Sequence, residues 1–88
     1  MAHTVERVQT GVRLEKNTLK VLKALAEYLD LTLGDLLEGI VLHAFDGKAP
    51  FSAETLAQVK RMRAVYGLTL RSADSHRLRE AAPRKQPR

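Results

Sequence analysis

The sequence predicts a mostly α-helical homodimer, held together by a two-stranded antiparallel β-ribbon that takes one strand from each subunit. The first observation is a period of two over residues 7–14, which is typical of a half-buried strand. One parity holds Val8, Thr10, Val12 and Leu14, and the other holds Arg7, Gln9, Gly11 and Arg13. The second is that the later apolar residues recur at helical spacing, so no other strand is predicted. Unpaired backbone groups of a single strand need a partner, which a second copy of the chain would supply.

The composition limits the chain to one small domain. It has 88 residues and no cysteine, which excludes disulfides and thiolate metal sites. A small core without such staples is marginal, and oligomerisation is one common remedy.

The charge is basic and unevenly distributed. Lys and Arg number 15 against 10 acidic residues, and the pI is near 10.0, a balance that suits a nucleic-acid partner. Residues 1–70 carry 9 basic and 8 acidic side chains, so most of the excess belongs to residues 71–88. Since neither a membrane span nor the apolar region of a signal peptide is visible, we expect a cytoplasmic protein with no membrane partner.

Two helices are predicted after the strand. The first runs over 17–29 and opens at Asn17 or Thr18, whose short polar side chains can cap free N–H groups. The second runs over 33–46, with Thr32 as the cap and Asp35 three residues later as in a capping box. Its apolar face is broader than one neighbouring helix could cover, which indicates contact with the second subunit. The predicted dimer core is Val8, Thr10, Val12, Leu14, Leu36, Leu37, Ile40, Val41 and Phe45.

The remaining chain is predicted to add one more helix and a tail. The additional helix falls within 47–70, with Ser52 as its cap and Gly67 at its end. Residues 71–88 form a basic, mostly flexible tail, and the stretch from Pro83 to Arg88 is expected to be disordered.

The order strand, helix, capped turn, helix over residues 7–45 resembles the ribbon-helix-helix (MetJ/Arc-like) DNA-binding superfamily. The resemblance implies that the paired strands lie in the major groove, which a two-stranded ribbon fits. It implies base-facing positions at Gln9, Gly11 and Arg13. It implies phosphate contacts at Arg7, Thr32, Leu33 and Gly34, the last three through N–H groups at a helix N-terminus.

Two residues depart from the family pattern. Gly11 occupies the central outward position of the strand, where the family usually presents a side chain. Glu15 stands where family members often place proline, and its negative charge is unfavourable beside a phosphate.

The resemblance therefore implies a sequence-specific, dimeric transcriptional regulator, a repressor that would occlude its operator. The alternative is a dimeric protein-interaction module, or an antitoxin-like protein whose C-terminal helix and tail bind a protein partner. No cofactor or metal is expected, because His3, His43 and His76 lack metal-ligand spacing. Enzymatic activity is not expected either. Asp74, Ser75 and His76 are adjacent in sequence, whereas a catalytic triad is built from residues on separate elements that converge in space.

Overall fold

The computed structural model describes residues 2–81, and this part of the chain is an all-α structure of three helices. They are α1 (Lys16–Leu29), α2 (Leu33–Phe45) and α3 (Ala53–Tyr66), followed by a 3₁₀ turn at Ser72–Asp74. The helices predicted over 17–29 and 33–46 each differ from α1 and α2 by one residue at one end. The additional helix expected within 47–70 is α3.

The predicted β-ribbon is wrong. Residues 7–14 form neither strand nor helix, and no β-strand occurs anywhere in residues 2–81. The predicted fold, a homodimer built on an intermolecular β-ribbon, is therefore corrected: residues 2–81 form a three-helix, all-α fold without a ribbon. Alternation of side chains describes which residues a strand would bury, but a strand forms only where backbone groups pair with a neighbouring strand. The regular elements of residues 2–81 are all helical and offer no such edge.

Helix α1 begins with a cap that the sequence analysis did not predict. The Glu15 carboxylate accepts hydrogen bonds from the backbone N–H groups of Asn17 at 2.9 Å and Thr18 at 2.8 Å. The predicted caps, Asn17 and Thr18, instead lie inside the first turn. The helix ends at Asp30, which takes a left-handed conformation with φ of 58°.

The caps of α2 and α3 agree with the sequence. The Thr32 hydroxyl accepts the backbone N–H of Asp35 at 3.1 Å, and the Ser52 hydroxyl accepts that of Thr55 at 3.1 Å. Gly67 ends α3 with φ of 66°, a conformation that glycine adopts without a steric penalty. These local signals define the helix boundaries that position the N-terminus of α2.

The hydrophobic core is small and centred on α1, which packs against both α2 and α3. Leu25 and Ala26 of α1 are buried against Leu36 of α2. The half-buried side chains around this cluster are Leu22, Leu29, Ile40, Phe51, Val59 and Met62. Leu36 and Ile40, two of the predicted dimer-core residues, thus lie in the core of a single chain.

The basic tail predicted over 71–88 is only partly described. Residues 71–81 contain the 3₁₀ turn and a second turn residue, His76, which has a positive φ of 64°. The disorder predicted for Pro83 to Arg88 lies outside the described residues.

The core assignment predicts unequal effects for two leucines of α2. Leu36 is 3% exposed, whereas Leu42 is 62% exposed. We expect Leu36→Ala to lower the free energy of unfolding by about 2–5 kcal/mol, because it removes buried contacts and leaves a cavity. Leu42→Ala is the matched control, and urea unfolding at low protein concentration measures both. Equal losses for the two variants would contradict the assignment.

Candidate nucleic-acid interface

The N-terminal segment, residues 2–14, is exposed along its whole length. Its apolar side chains are as open as its polar ones: Val8 is 81% exposed and Val12 is 72% exposed. Gln9 and Gly11, two of the three predicted base-facing residues, also lie in solvent. A Cβ atom at Gly11 would meet no other atom within 4 Å, so packing within the chain does not require glycine there.

Arg7 joins the N-terminal segment to α2. Its Nε donates to Glu38 Oε2 at 3.0 Å, and its Nη2 donates to Glu38 Oε1 at 2.8 Å. A further hydrogen bond of 3.3 Å runs from Nη2 to Asp35 Oδ1. The hydrogen bond from Arg7 and its positive charge hold the pKa of the Glu38 carboxyl below its ordinary range. The guanidinium thus uses two nitrogens on one carboxylate, the geometry in which arginine also binds phosphate.

Arg13 lies at the far end of the same segment and contacts Glu80, which is 67 positions away in sequence. Its Nε donates to Glu80 Oε1 at 3.0 Å, and its Nη2 forms an ion pair with the same oxygen. The hydrogen bond and the charge of Arg13 lower the pKa of the Glu80 carboxyl. Both side chains remain open to solvent, 84% for Arg13 and 67% for Glu80. The pair is therefore an exposed one, of the kind that contributes little to stability.

The N-terminus of α2 holds the other predicted phosphate contacts. Thr32 and Gly34 are exposed and Leu33 is half-buried. Thr32 already satisfies the N–H of Asp35 through its hydroxyl. Asp35 places a negative charge in the first turn, where an approaching phosphate would be repelled. Because Arg7 binds Asp35, the structure brings Arg7 and the α2 N-terminus into one region and leaves Arg13 in another.

The remaining predicted dimer-core residues are exposed or half-buried in the single chain. Thr10 and Leu14 are exposed on the N-terminal segment, and Leu37 is half-buried on α2. Val41 and Phe45 are exposed, and Phe45 is 80% open to solvent. Together with Leu42, Val41 and Phe45 form an exposed apolar end of α2.

The carboxylate partners of both arginines were missed by the sequence analysis. Asp35 and Glu38 lie three residues apart on one helix, so their common face was visible in the sequence. Their pairing with Arg7, and that of Glu80 with Arg13, depends on how distant segments meet. Glu15 was noted only as a departure from the family pattern. Its role as the cap of α1 was not visible in the sequence, because glutamate is not among the residues usually favoured at that position.

Residues 2–81 contain no cluster of three or more His, Asp or Glu side chains that could hold a metal ion. One open groove of about 820 Å³ runs between the start of α1 and the segment after α3. Within the same residues, no helix is both long and apolar enough to cross a membrane.

Comparison of the chain with protein-family models, with curated proteins and with solved structures finds no significant match. The resemblance to the ribbon-helix-helix superfamily thus stays a prediction from the sequence pattern.

The Glu15 cap predicts a specific response to acid. Hydrogen bonds from Asn17 and Thr18 lower the pKa of the Glu15 carboxyl below its ordinary value of 4.5. A carboxyl whose pKa is lower in the folded state than in the unfolded state stabilises the folded state at any pH above the unfolded pKa. This stabilisation is lost as the pH falls through the lowered pKa of the folded state. We expect Glu15→Ala to lower the melting temperature at pH 7 and to unfold with a weaker dependence on pH below about 4.5.

Glu27→Ala is the control for this experiment, since Glu27 lies exposed on the same helix and caps nothing. Thermal unfolding followed by circular dichroism from pH 3 to pH 7 measures both variants. The assignment fails if the two variants lose the same stability at every pH.

Proposed function

We propose that this protein is a dimeric DNA-binding protein, a transcriptional regulator of the repressor type acting in the cytoplasm. In this proposal the N-terminal segment contacts duplex DNA through Arg7, Gln9 and Arg13. Arg7 offsets the charge of Asp35 where the N-terminus of α2 approaches a phosphate. Binding blocks access of other proteins to the bound site. The β-ribbon has no part in the proposal.

The observation that carries the proposal is the exposure of Arg7, Gln9 and Arg13 on a segment that no helix covers. Arginine can bond bidentately to guanine or to phosphate, and glutamine can bond bidentately to adenine. Both arginines already hold carboxylates through Nε and Nη2. The same donors would face phosphate oxygens without a change of side-chain chemistry.

The dimer is supported by the exposed apolar side chains. Val41, Leu42 and Phe45 lie on one end of α2, and Val8 and Val12 lie on the N-terminal segment. Exposed apolar side chains that cluster often mark protein interfaces. A second copy of the chain would double the number of DNA contacts, as expected for a regulator that binds a symmetric site.

A second candidate function is a protein-interaction module that resembles an antitoxin. Its support is α3, where Leu56, Val65 and Tyr66 are exposed at 50%, 75% and 39%. The acidic partners of Arg7 and Arg13 also favour the interaction module, because they reduce the positive charge offered to DNA. A wild-type protein that self-associates but binds no duplex at low salt would support this function over the first.

The DNA-binding proposal predicts a selective loss in Arg13→Ala. We expect its affinity for a duplex selected from a random pool to fall by roughly 5- to 150-fold, the range for losing a specific arginine–base contact. Arg61→Ala is the control, because Arg61 is an exposed arginine of α3 outside the proposed interface. Fluorescence anisotropy over a range of salt concentrations measures both. Equal losses in the two variants would indicate only non-specific attraction.

The dimer proposal predicts that the melting temperature rises with protein concentration, because folding and association are linked. Phe45→Ser should shift the sedimentation coefficient from that of a dimer towards that of a monomer. Val65→Ser is the matched control, since it also changes an exposed apolar residue but lies on α3. A monomeric wild type, or a loss of the dimer in the Val65 variant alone, would argue against an interface on α2.

A further inference from the structure

We infer that Glu80 is an internal competitor for the DNA-binding group of Arg13, so that the segment after α3 weakens DNA binding. This inference rests on the proposed DNA-binding function. It adds a residue that restrains binding, outside the set that makes the contacts.

The first argument is that carboxylate and DNA would use the same atoms. Arg13 directs both Nε and Nη2 to Glu80 Oε1. A bidentate contact with guanine or phosphate requires two such donors on one edge of the guanidinium. Arg13 therefore has to release Glu80 before it can use that edge on DNA.

The second argument is that the segment carrying Glu80 returns along a defined path. After Gly67 ends α3, Arg63 Nη2 donates to the carbonyl oxygen of Leu70 at 2.6 Å. The Asp74 carboxylate then accepts the N–H of Arg71 at 2.8 Å and closes the 3₁₀ turn. His76 takes a left-handed conformation with a positive φ. These contacts lie between the end of α3 and Glu80, which binds Arg13.

The third argument concerns the surroundings of the pair. Residues 13–17 face residues 67–70 and 78–81 across the groove of about 820 Å³. Arg13, Lys16 and Arg79 line this groove together with Glu15 and Glu80. Since Glu15 already caps α1, Glu80 is the carboxylate of this groove that holds Arg13. Its charge would also repel a phosphate brought to Arg13 or Lys16.

Because the Arg13–Glu80 pair is exposed, another anion can replace Glu80 at Arg13. Ion pairs in solvent are weak, so DNA can displace Glu80 at a small cost. The expected effect is a restraint on affinity, with binding still allowed. We expect Glu80→Gln to tighten binding by roughly 2- to 10-fold, because it removes the competing charge while keeping the size of the side chain.

The test uses the full chain and four variants: Glu80→Gln, Glu27→Gln, Arg13→Ala and the double variant Arg13→Ala/Glu80→Gln. Glu27→Gln makes the same change in net charge at an exposed residue of α1, for which residues 2–81 offer no ion-pair partner. Anisotropy titrations with one selected duplex at fixed salt give the affinities. The inference predicts that Glu80→Gln raises the affinity for DNA more than Glu27→Gln does. It also predicts that Glu80→Gln gives no such gain in affinity when Arg13 is alanine. Equal gains for the two glutamines, or a gain that persists without Arg13, would overturn it.

A second readout needs no DNA. The ¹⁵N and ¹H resonances of Arg13 Nε should shift in Glu80→Gln and stay in place in Glu27→Gln, since only the first variant replaces the charged acceptor of Arg13 with a neutral amide. An unchanged Arg13 resonance would overturn the inference whatever the DNA measurements give. If wild type and Glu80→Gln both fail to bind duplex at low salt, the proposed function fails and the inference fails with it. If the wild type binds through Arg13 but Glu80→Gln gains nothing, the inference alone fails.

Discussion

The structure depends on the burial of one face of α1. Leu25 and Ala26 are covered by Leu36 of α2 on one side, and Val59 and Met62 of α3 pack against the same cluster. Such a core is small for a chain in which 44% of residues are hydrophobic. A small domain cannot cover all of its apolar surface, so side chains such as Phe45 stay in solvent. The same limit explains why self-association is an attractive means of stabilising the chain.

Ion pairs join the N-terminal segment to α2 and to the segment after α3. Among the described residues, its ion pairs are those of Arg7 with Asp35 and Glu38, and of Arg13 with Glu80. All of these side chains are exposed, so salt screens the pairs and other anions can compete for the arginines. Position and reactivity are thereby linked, because the groups that locate the segment are the groups proposed to contact DNA.

Local signals predicted the helices well, whereas the candidate site was predicted only in part. Thr32, Ser52 and Gly67 act at helix ends within a few residues of their partners, which is why their roles were visible in the sequence. The polar side chains Arg7, Gln9 and Arg13 of the N-terminal segment are exposed, as the alternating pattern predicts, but the apolar side chains between them are exposed as well. The segment's carboxylate partners were not predictable, since Glu38 is 31 and Glu80 is 67 positions from the arginine that each one binds. Contacts of that length are set by the packing of whole helices.

By itself, the sequence determined three helices, most of their caps and the uneven distribution of charge. These properties depend on spacing and on hydrogen bonds between near neighbours. Tertiary structure decided two further matters. Leu36 and Ile40 pack in the core beside α1, while Val41 and Phe45 of the same helix face solvent, because α1 covers only part of the apolar surface of α2. Residues 7–14 form no strand despite their alternation, because strand pairing needs a neighbouring backbone edge and the regular elements of residues 2–81 are all helical.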